Sequence, residues 1–160
     1  MLIISVIGDG NPTEKISLLA EEVGELLAKK GIIIVCGGLE GVMESVCRGA
    51  KKYGGTTIGI IPGSKASDVN RWVDIPICTG MSHARNVIIA TTGDAIIAIG
   101  GKYGTLSEIS HALSINKPVI GLNTWNLSQI KNIKPSIIKA KNPIDAVTLA
   151  EKAIQNNQRK

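Results

Sequence analysis

Residues 94–116 read DAIIAIGGKYGTLSEISHALSIN, and this stretch contains the unit from which the fold is built. Residues 94–99 form a short apolar run, which is typical of a β-strand buried on both faces of a parallel sheet. A glycine-rich loop follows at residues 100–104, and residues 105–116 predict a helix. We expect the apolar run to be the most central strand of the sheet.

The same alternation of apolar runs and amphipathic stretches extends along the whole chain. Strands are predicted at residues 2–7, 32–36, 57–61, 94–99 and 118–122, with shorter candidates at 73–78 and 135–140. Helices are predicted between residues 13 and 31, at 41–52, 82–92 and 105–116, and from residue 142 onward. This order predicts an α/β protein with a three-layer Rossmann-like fold and a mostly parallel sheet of six or seven strands. Residues 1–160 are expected to form a single nucleotide- or phosphate-binding domain.

Composition narrows the classes of function. The 160 residues carry 18 Lys and Arg against 13 Asp and Glu, a net charge of +5, but no long basic run. The four aromatic residues, two Trp and two Tyr, are too few for a nucleic-acid stacking surface, so nucleic acid is not an expected partner. Three cysteines without a CxxC pair suggest neither a disulfide framework nor a metal site. No leader or membrane-spanning run is evident, so we expect a cytoplasmic protein without a membrane partner.

Three glycine-rich turns each follow a predicted strand, at residues 8–10, 37–41 and 100–104. Ligands of such sheets bind beyond the carboxyl ends of the strands, where glycines let the backbone approach closely and helix amides favour an anion. The first turn lacks the third glycine of GxGxxG, and GxxxxGK[ST] is absent, so neither standard dinucleotide binding nor a P-loop is indicated.

Residues 105–108, Thr-Leu-Ser-Glu, allow two interpretations. In the first, Thr105 caps the helix and the Glu108 carboxylate accepts a hydrogen bond from the backbone amide of Thr105, as in a capping box. In the second, Glu108 lies one turn into the helix and faces a ligand, where it holds ribose hydroxyls or acts as a general acid–base. Arg85, near the start of the preceding helix, would reach the same crevice and bind a phosphate or carboxylate.

The segments GGLEGVM at residues 37–43 and GKYGTLSE at residues 101–108, with Arg85 upstream, resemble the LOG-like Rossmann superfamily. This "lysine decarboxylase-like" superfamily includes cytokinin riboside 5′-monophosphate phosphoribohydrolases and molybdenum cofactor carrier proteins, and the resemblance covers about residues 2–155. It implies that Arg85 and Glu108 are the catalytic pair. It also implies ligand or phosphate contacts from a set of residues around the turns: Gly8, Gly37, Gly38, Gly41, Met43, Gly101, Lys102, Gly104 and Thr105.

The chain also departs from the hydrolase pattern PGGxGTxxE. Gly100 stands in place of the proline, Lys102 in place of the second glycine, and Thr91 where a second arginine usually follows. Glu44 replaces a glycine after the Gly41-Val42-Met43 triplet. These departures bring the chain nearer to the branch of carrier and uncharacterised proteins.

The resemblance leaves two main functions open, with a DNA-processing role as a third and weaker one, since related Rossmann proteins bind single strands. One is hydrolysis of the N-glycosidic bond of a nucleoside 5′-monophosphate, with no cofactor or metal required. The other is non-catalytic carriage of molybdenum cofactor or a related anionic cofactor. Pyridoxal-dependent lysine decarboxylation is rejected, because neither His83 nor His111 is followed by lysine. A homodimer or higher homo-oligomer is expected by resemblance, and His83 is either a ligand contact or incidental.

Overall fold

The computed structural model describes residues 1–128 and 136–158, which contain seven strands and five helices. The strands are β1 (Ile3–Gly8), β2 (Ile33–Cys36), β3 (Thr57–Ile61), β4 (Ile75–Cys78), β5 (Ala95–Ile99), β6 (Val119–Leu122) and β7 (Ile138–Lys139). The helices are α1 (Glu14–Lys29), α2 (Val42–Lys51), α3 (Asn86–Thr92), α4 (Tyr103–Ser114) and α5 (Pro143–Gln158). Two short 3-10 turns, Ala66–Asp68 and Ser82–Arg85, complete these elements.

The seven strands form one parallel sheet in the order β4-β3-β2-β1-β5-β6-β7. The predicted three-layer α/β fold is therefore confirmed. The prediction that residues 94–99 form the most central strand is wrong, because β1 is the fourth of seven and β5 lies beside it. Both strands are fully enclosed by neighbours, so apolar content alone does not distinguish them.

Alternate residues of the central strands supply two separate aliphatic cores. On one face, Ile4 and Val6 of β1 pack with residues of α1, α2 and α5. On the other face, Ile7 of β1 and Ile96 of β5 pack with residues of α3 and α4. This alternation follows from the two-residue period of a strand. Ser5 is buried in β1, and its hydroxyl donates to the Ile89 carbonyl and accepts from the Gly93 amide.

Two glycines let α1 and α2 pack with their backbones in contact. A Cβ atom at Gly24 would collide with the Val46 carbonyl oxygen, and one at Gly49 would collide with the Glu21 carbonyl oxygen. The crossing is also tied by Arg48, which donates to the Glu21 carboxylate at 2.8 Å. At both glycines the obstructing atoms belong to the backbone, so a change of side-chain rotamer cannot relieve the collision.

The structure revises several predicted boundaries. The predicted helix 82–92 begins as the 3-10 turn Ser82–Arg85 and becomes α-helical only at Asn86. The predicted helix 105–116 begins two residues early, at Tyr103. Part of the predicted strand 135–140 falls outside the described residues, and its described part forms β7. None of the helices in the described ranges is long and apolar enough to cross a membrane.

Replacing Gly49 by alanine tests the tight helix crossing. We expect Gly49→Ala to lower the free energy of unfolding by about 1–3 kcal/mol, because the added methyl forces the two helix backbones apart. Gly104→Ala in α4 is the matched control, since a Cβ at Gly104 meets nothing within 4 Å. Urea denaturation measures both, and equal stability of the two variants would contradict the described packing.

Candidate functional site

A cavity lies at the carboxyl edge of the sheet, where the strand order reverses between β1 and β5. It has a volume of about 300 Å³. Its walls come from the loops after β1, β2 and β5, together with the turn before α3. Such reversal points are the usual ligand crevices of open parallel sheets.

Glycines bring these loops together by removing side chains where backbones meet. A Cβ at Gly8 would collide with the Ile99 carbonyl oxygen of the neighbouring strand. A Cβ at Gly37 would lie 2.6 Å from both Arg85 Nη2 and Met43 Sδ. Any side chain at Gly37 would therefore displace the Arg85 guanidinium.

Arg85 ends the 3-10 turn before α3, and its side chain is buried in the cavity wall. Its Nη1 donates to Asn86 Oδ1 at 2.6 Å, and its Nη2 donates to the Gly37 carbonyl at 3.5 Å. Its Nε is buried and has no partner among the described residues. Burial lowers the pKa of Arg85 from its ordinary value, and the nearby Glu108 carboxylate opposes that change. The guanidinium is thus a buried cation whose hydrogen-bonding capacity is only partly used.

Glu108 approaches Arg85 from the second turn of α4. Its Oε1 lies 3.5 Å from Arg85 Nη1, and only 8% of its side chain is exposed. Burial raises the pKa of Glu108 to about 8, although the positive charge of Arg85 acts in the opposite direction. The carboxyl group is therefore mostly protonated at neutral pH.

A second, exposed cation lies at the rim of the cavity. Lys102 Nζ is 3.6 Å from Asp9 Oδ1, and 71% of the Lys102 side chain is exposed. This pair joins the loop after β5 to the loop after β1. Lys102 is also the N-cap residue of α4, and its side chain makes no capping hydrogen bond.

The structure brings most of the predicted site residues into this one cavity, although their roles stay predictions. The lining includes these predicted residues: Gly8, Gly37, Met43, Arg85, Lys102, Gly104, Thr105 and Glu108. Gly38, Gly41 and Gly101 do not line it. They shape the loops instead, since each has a positive φ and a Cβ there would strike a neighbouring residue.

The cavity also contains residues that the sequence analysis did not select. His83, left open in that analysis, lines the cavity, as do Asp9 and Asn86. Asp9 lies inside the first glycine turn, between Gly8 and Gly10, and no motif in the sequence marks it. Asn86 connects Arg85 to the first turn of α4, since the Asn86 Nδ2 donates to the Gly104 carbonyl at 3.5 Å. No sequence signal marks a residue whose role is to hold its neighbour.

The capping-box interpretation of residues 105–108 is wrong. Helix α4 already begins at Tyr103, and the Leu106 amide donates to the Lys102 carbonyl at 2.9 Å. Thr105 is therefore inside the first turn, where it is buried, and not at the N-cap. The positive φ values of Gly100 and Gly101 complete the turn before Lys102, which lets the helix start early.

Comparison with known proteins identifies one matching family and three similar proteins. Residues 1–155 match the SLOG cluster4 family. The molybdenum cofactor binding protein of Rippkaea orientalis is 38% identical, with a TM-score of 0.90 over 96% of this chain and 97% of that chain. The Moco carrier protein of Chlamydomonas reinhardtii is 33% identical, with a TM-score of 0.87 over 97% of this chain and 98% of that chain.

A cytokinin riboside 5′-monophosphate phosphoribohydrolase of Rhodococcoides fascians is also similar. It is 32% identical over 120 residues, which are 68% of this chain and 60% of the enzyme. The match thus spans less than two thirds of the enzyme, whereas the matches to the cofactor-binding structures span nearly complete chains.

The raised pKa of Glu108 has a consequence for stability. Between about pH 4.5, the ordinary pKa of a Glu side chain, and about pH 8, the folded protein holds a proton that the unfolded chain has released. The contribution of Glu108 to the free energy of unfolding therefore falls as the pH rises through this window. We therefore expect the free energy of unfolding of Glu108→Gln, taken relative to that of the wild type, to rise by at least about 1.4 kcal/mol from pH 5 to pH 8.

Urea denaturation at several pH values measures this difference. Glu14→Gln is the control, since Glu14 is exposed at the start of α1. The Glu14→Gln difference should stay constant with pH. A constant difference for Glu108→Gln as well would show that the carboxyl group is ionised in the folded protein throughout this range.

Proposed function

The chain belongs to the SLOG cluster4 family, and on that premise we propose that its cavity binds a phosphate-bearing small ligand. We further propose that the ligand is a nucleoside 5′-monophosphate, whose N-glycosidic bond is hydrolysed. The observation that carries this proposal is the contact between Arg85 and Glu108 inside a cavity lined by glycine turns. A buried acid–base candidate beside a buried cation is typical of a reaction centre.

The phosphate is assigned to the loop that opens α4. The first-turn amides of α4 receive no side-chain cap from Lys102, and the helix dipole favours an anion there. The Lys102 ammonium adds a movable positive charge at the same rim. Gly104 and Thr105 line this part of the cavity, so a phosphate can approach the backbone closely.

The reaction adds water across the bond between the sugar and the base. The hydroxyl of water attaches to the sugar carbon and a proton goes to the base, which leaves ribose 5-phosphate and free base. Glu108 in its ionised form orients and deprotonates this water. Arg85 favours that ionised form at 3.5 Å and offsets negative charge on the departing base.

A second candidate function is carriage of molybdenum cofactor or a related anionic cofactor without turnover. The sequence similarity favours it, because this chain aligns with nearly the whole length of the two cofactor-binding structures but with only part of the phosphoribohydrolase. The protonated state of Glu108 also favours it, because a neutral carboxyl group donates a hydrogen bond and does not activate water. Assembly into a homo-oligomer and a cytoplasmic location belong to both proposals.

Release of adenine from AMP tests the enzymatic proposal. We expect the wild type to release adenine above the rate of a protein-free blank, measured by liquid chromatography. Glu108→Gln and Arg85→Gln should each reduce that rate at least about 100-fold, the usual range for loss of a positioned acid–base group. Glu14→Gln should keep the full rate. Undiminished release by Glu108→Gln would overturn the assignment.

Native mass spectrometry tests the carrier proposal. We expect wild-type protein mixed with molybdenum cofactor to retain the intact cofactor in a one-to-one complex per chain. Lys102→Gln and Arg85→Gln should retain less of it, because each removes a positive charge facing the anionic group. Cofactor retained equally by all three proteins would place the binding elsewhere and contradict the proposal.

A further inference from the structure

Asp9 is an acidic residue in the cavity wall to which the proposed reaction assigns no role. It follows β1 at the point where the strand order reverses, and 19% of its side chain is exposed. Its Oδ1 accepts a hydrogen bond from the Asn11 amide at 3.0 Å and lies 3.6 Å from Lys102 Nζ. Among the described residues, its Oδ2 has no hydrogen-bond partner. One acceptor oxygen of a wall carboxylate is thus unused.

The loop itself does not need a carboxylate at this position. The turn requires only an acceptor for the Asn11 amide, which an Asn or Ser side chain also supplies. The link to the neighbouring loop is made by the backbone, since the Asp9 carbonyl accepts from the Val42 amide at 2.9 Å. The fold therefore does not explain why residue 9 carries a negative charge.

That charge opposes the binding of a phosphate. Asp9 pairs with Lys102, so an incoming phosphate must compete with a carboxylate for the same ammonium. It must also approach a like charge, which is unfavourable at such short range. A wall carboxylate at this position is consistent with a ligand that also presents hydrogen-bond donors to it.

Resting on the proposed function, we propose that Asp9 is a specificity-determining residue that selects ligands with a free sugar hydroxyl beside the phosphate. When the ligand binds, Lys102 turns from Asp9 to the phosphate, and Asp9 accepts a hydrogen bond from a ribose hydroxyl. Hydrogen bonds from a neutral donor to a charged group are stronger than those between neutral groups. The cavity therefore discriminates ribonucleotides from deoxynucleotides and from phosphate alone.

The proposal predicts effects of opposite sign when the acceptor is removed. Asp9→Ala should bind inorganic phosphate more tightly than the wild type, because Lys102 no longer has a competing partner. The same variant should lose its discrimination between AMP and the analogue that lacks the bound hydroxyl. If Asp9 had only a structural role in the loop, Asp9→Ala would bind both inorganic phosphate and AMP more weakly.

Isothermal titration calorimetry with AMP, 2′-deoxy-AMP, 3′-deoxy-AMP and inorganic phosphate separates these outcomes. We expect the wild type to bind AMP at least about 10-fold more tightly than one of the two deoxy analogues. In Asp9→Ala that ratio should fall to about 1. Asp9→Asn keeps an acceptor for the Asn11 amide, so it should show the gain in phosphate affinity with the loop intact. Glu14→Ala serves as the exposed-carboxylate control and should behave as the wild type.

The outcomes also distinguish this proposal from the one on which it rests. A wild type that binds no AMP defeats the proposed nucleotide function, and the assignment of Asp9 falls with it. A wild type that binds AMP and both deoxy analogues equally defeats only the assignment of Asp9. Weaker phosphate binding by both Asp9→Ala and Asp9→Asn would also overturn it, since the carboxylate would then assist the anion.

Discussion

The parallel pairing of β1 with β5 is the constraint on which the rest of the structure depends. Residues 4–8 align with residues 95–99, although about 90 positions separate them in the sequence. This pairing reverses the strand order, and it places the turn after β1 against the turn after β5. The cavity, the contact between Lys102 and Asp9, and the approach of Glu108 all follow from it. A shift of one residue in this register would turn the alternating core residues to the wrong faces.

Close backbone contact explains more of the glycines than ligand binding does. Gly24 and Gly49 serve a helix crossing remote from the cavity, and Gly8 and Gly37 let neighbouring strands and Arg85 approach. The glycines at the cavity edge therefore serve close packing as well as ligand binding. The charged side chains of the cavity determine more of its chemical specificity.

The sequence was a good guide where a residue's role is local. Short apolar runs predicted the strands, and the glycine turns predicted the edge of the sheet where Arg85 and Glu108 meet. It was a poor guide to the residue at which α4 begins, and to roles that depend on a distant partner. Thr105 has the right identity for an N-cap, but the two preceding glycines with positive φ let α4 start earlier. Asp9 and Asn86 gain their importance only from Lys102, Gly104 and Arg85, which the sheet order brings to them.

The protonation of Glu108 connects the two proposed functions. An anionic ligand that draws Arg85 away from Glu108 removes the charge that lowers its pKa, so the carboxyl group stays neutral and the ligand is only held. If Lys102 takes the phosphate instead, Arg85 remains 3.5 Å from Glu108, where its positive charge opposes the effect of burial on the pKa of Glu108 and increases the ionised fraction. Which of the two cations meets the phosphate thus affects how much of Glu108 is available as a base. Asp9 enters this choice, because it pairs with Lys102 and, in our proposal, releases it to the ligand.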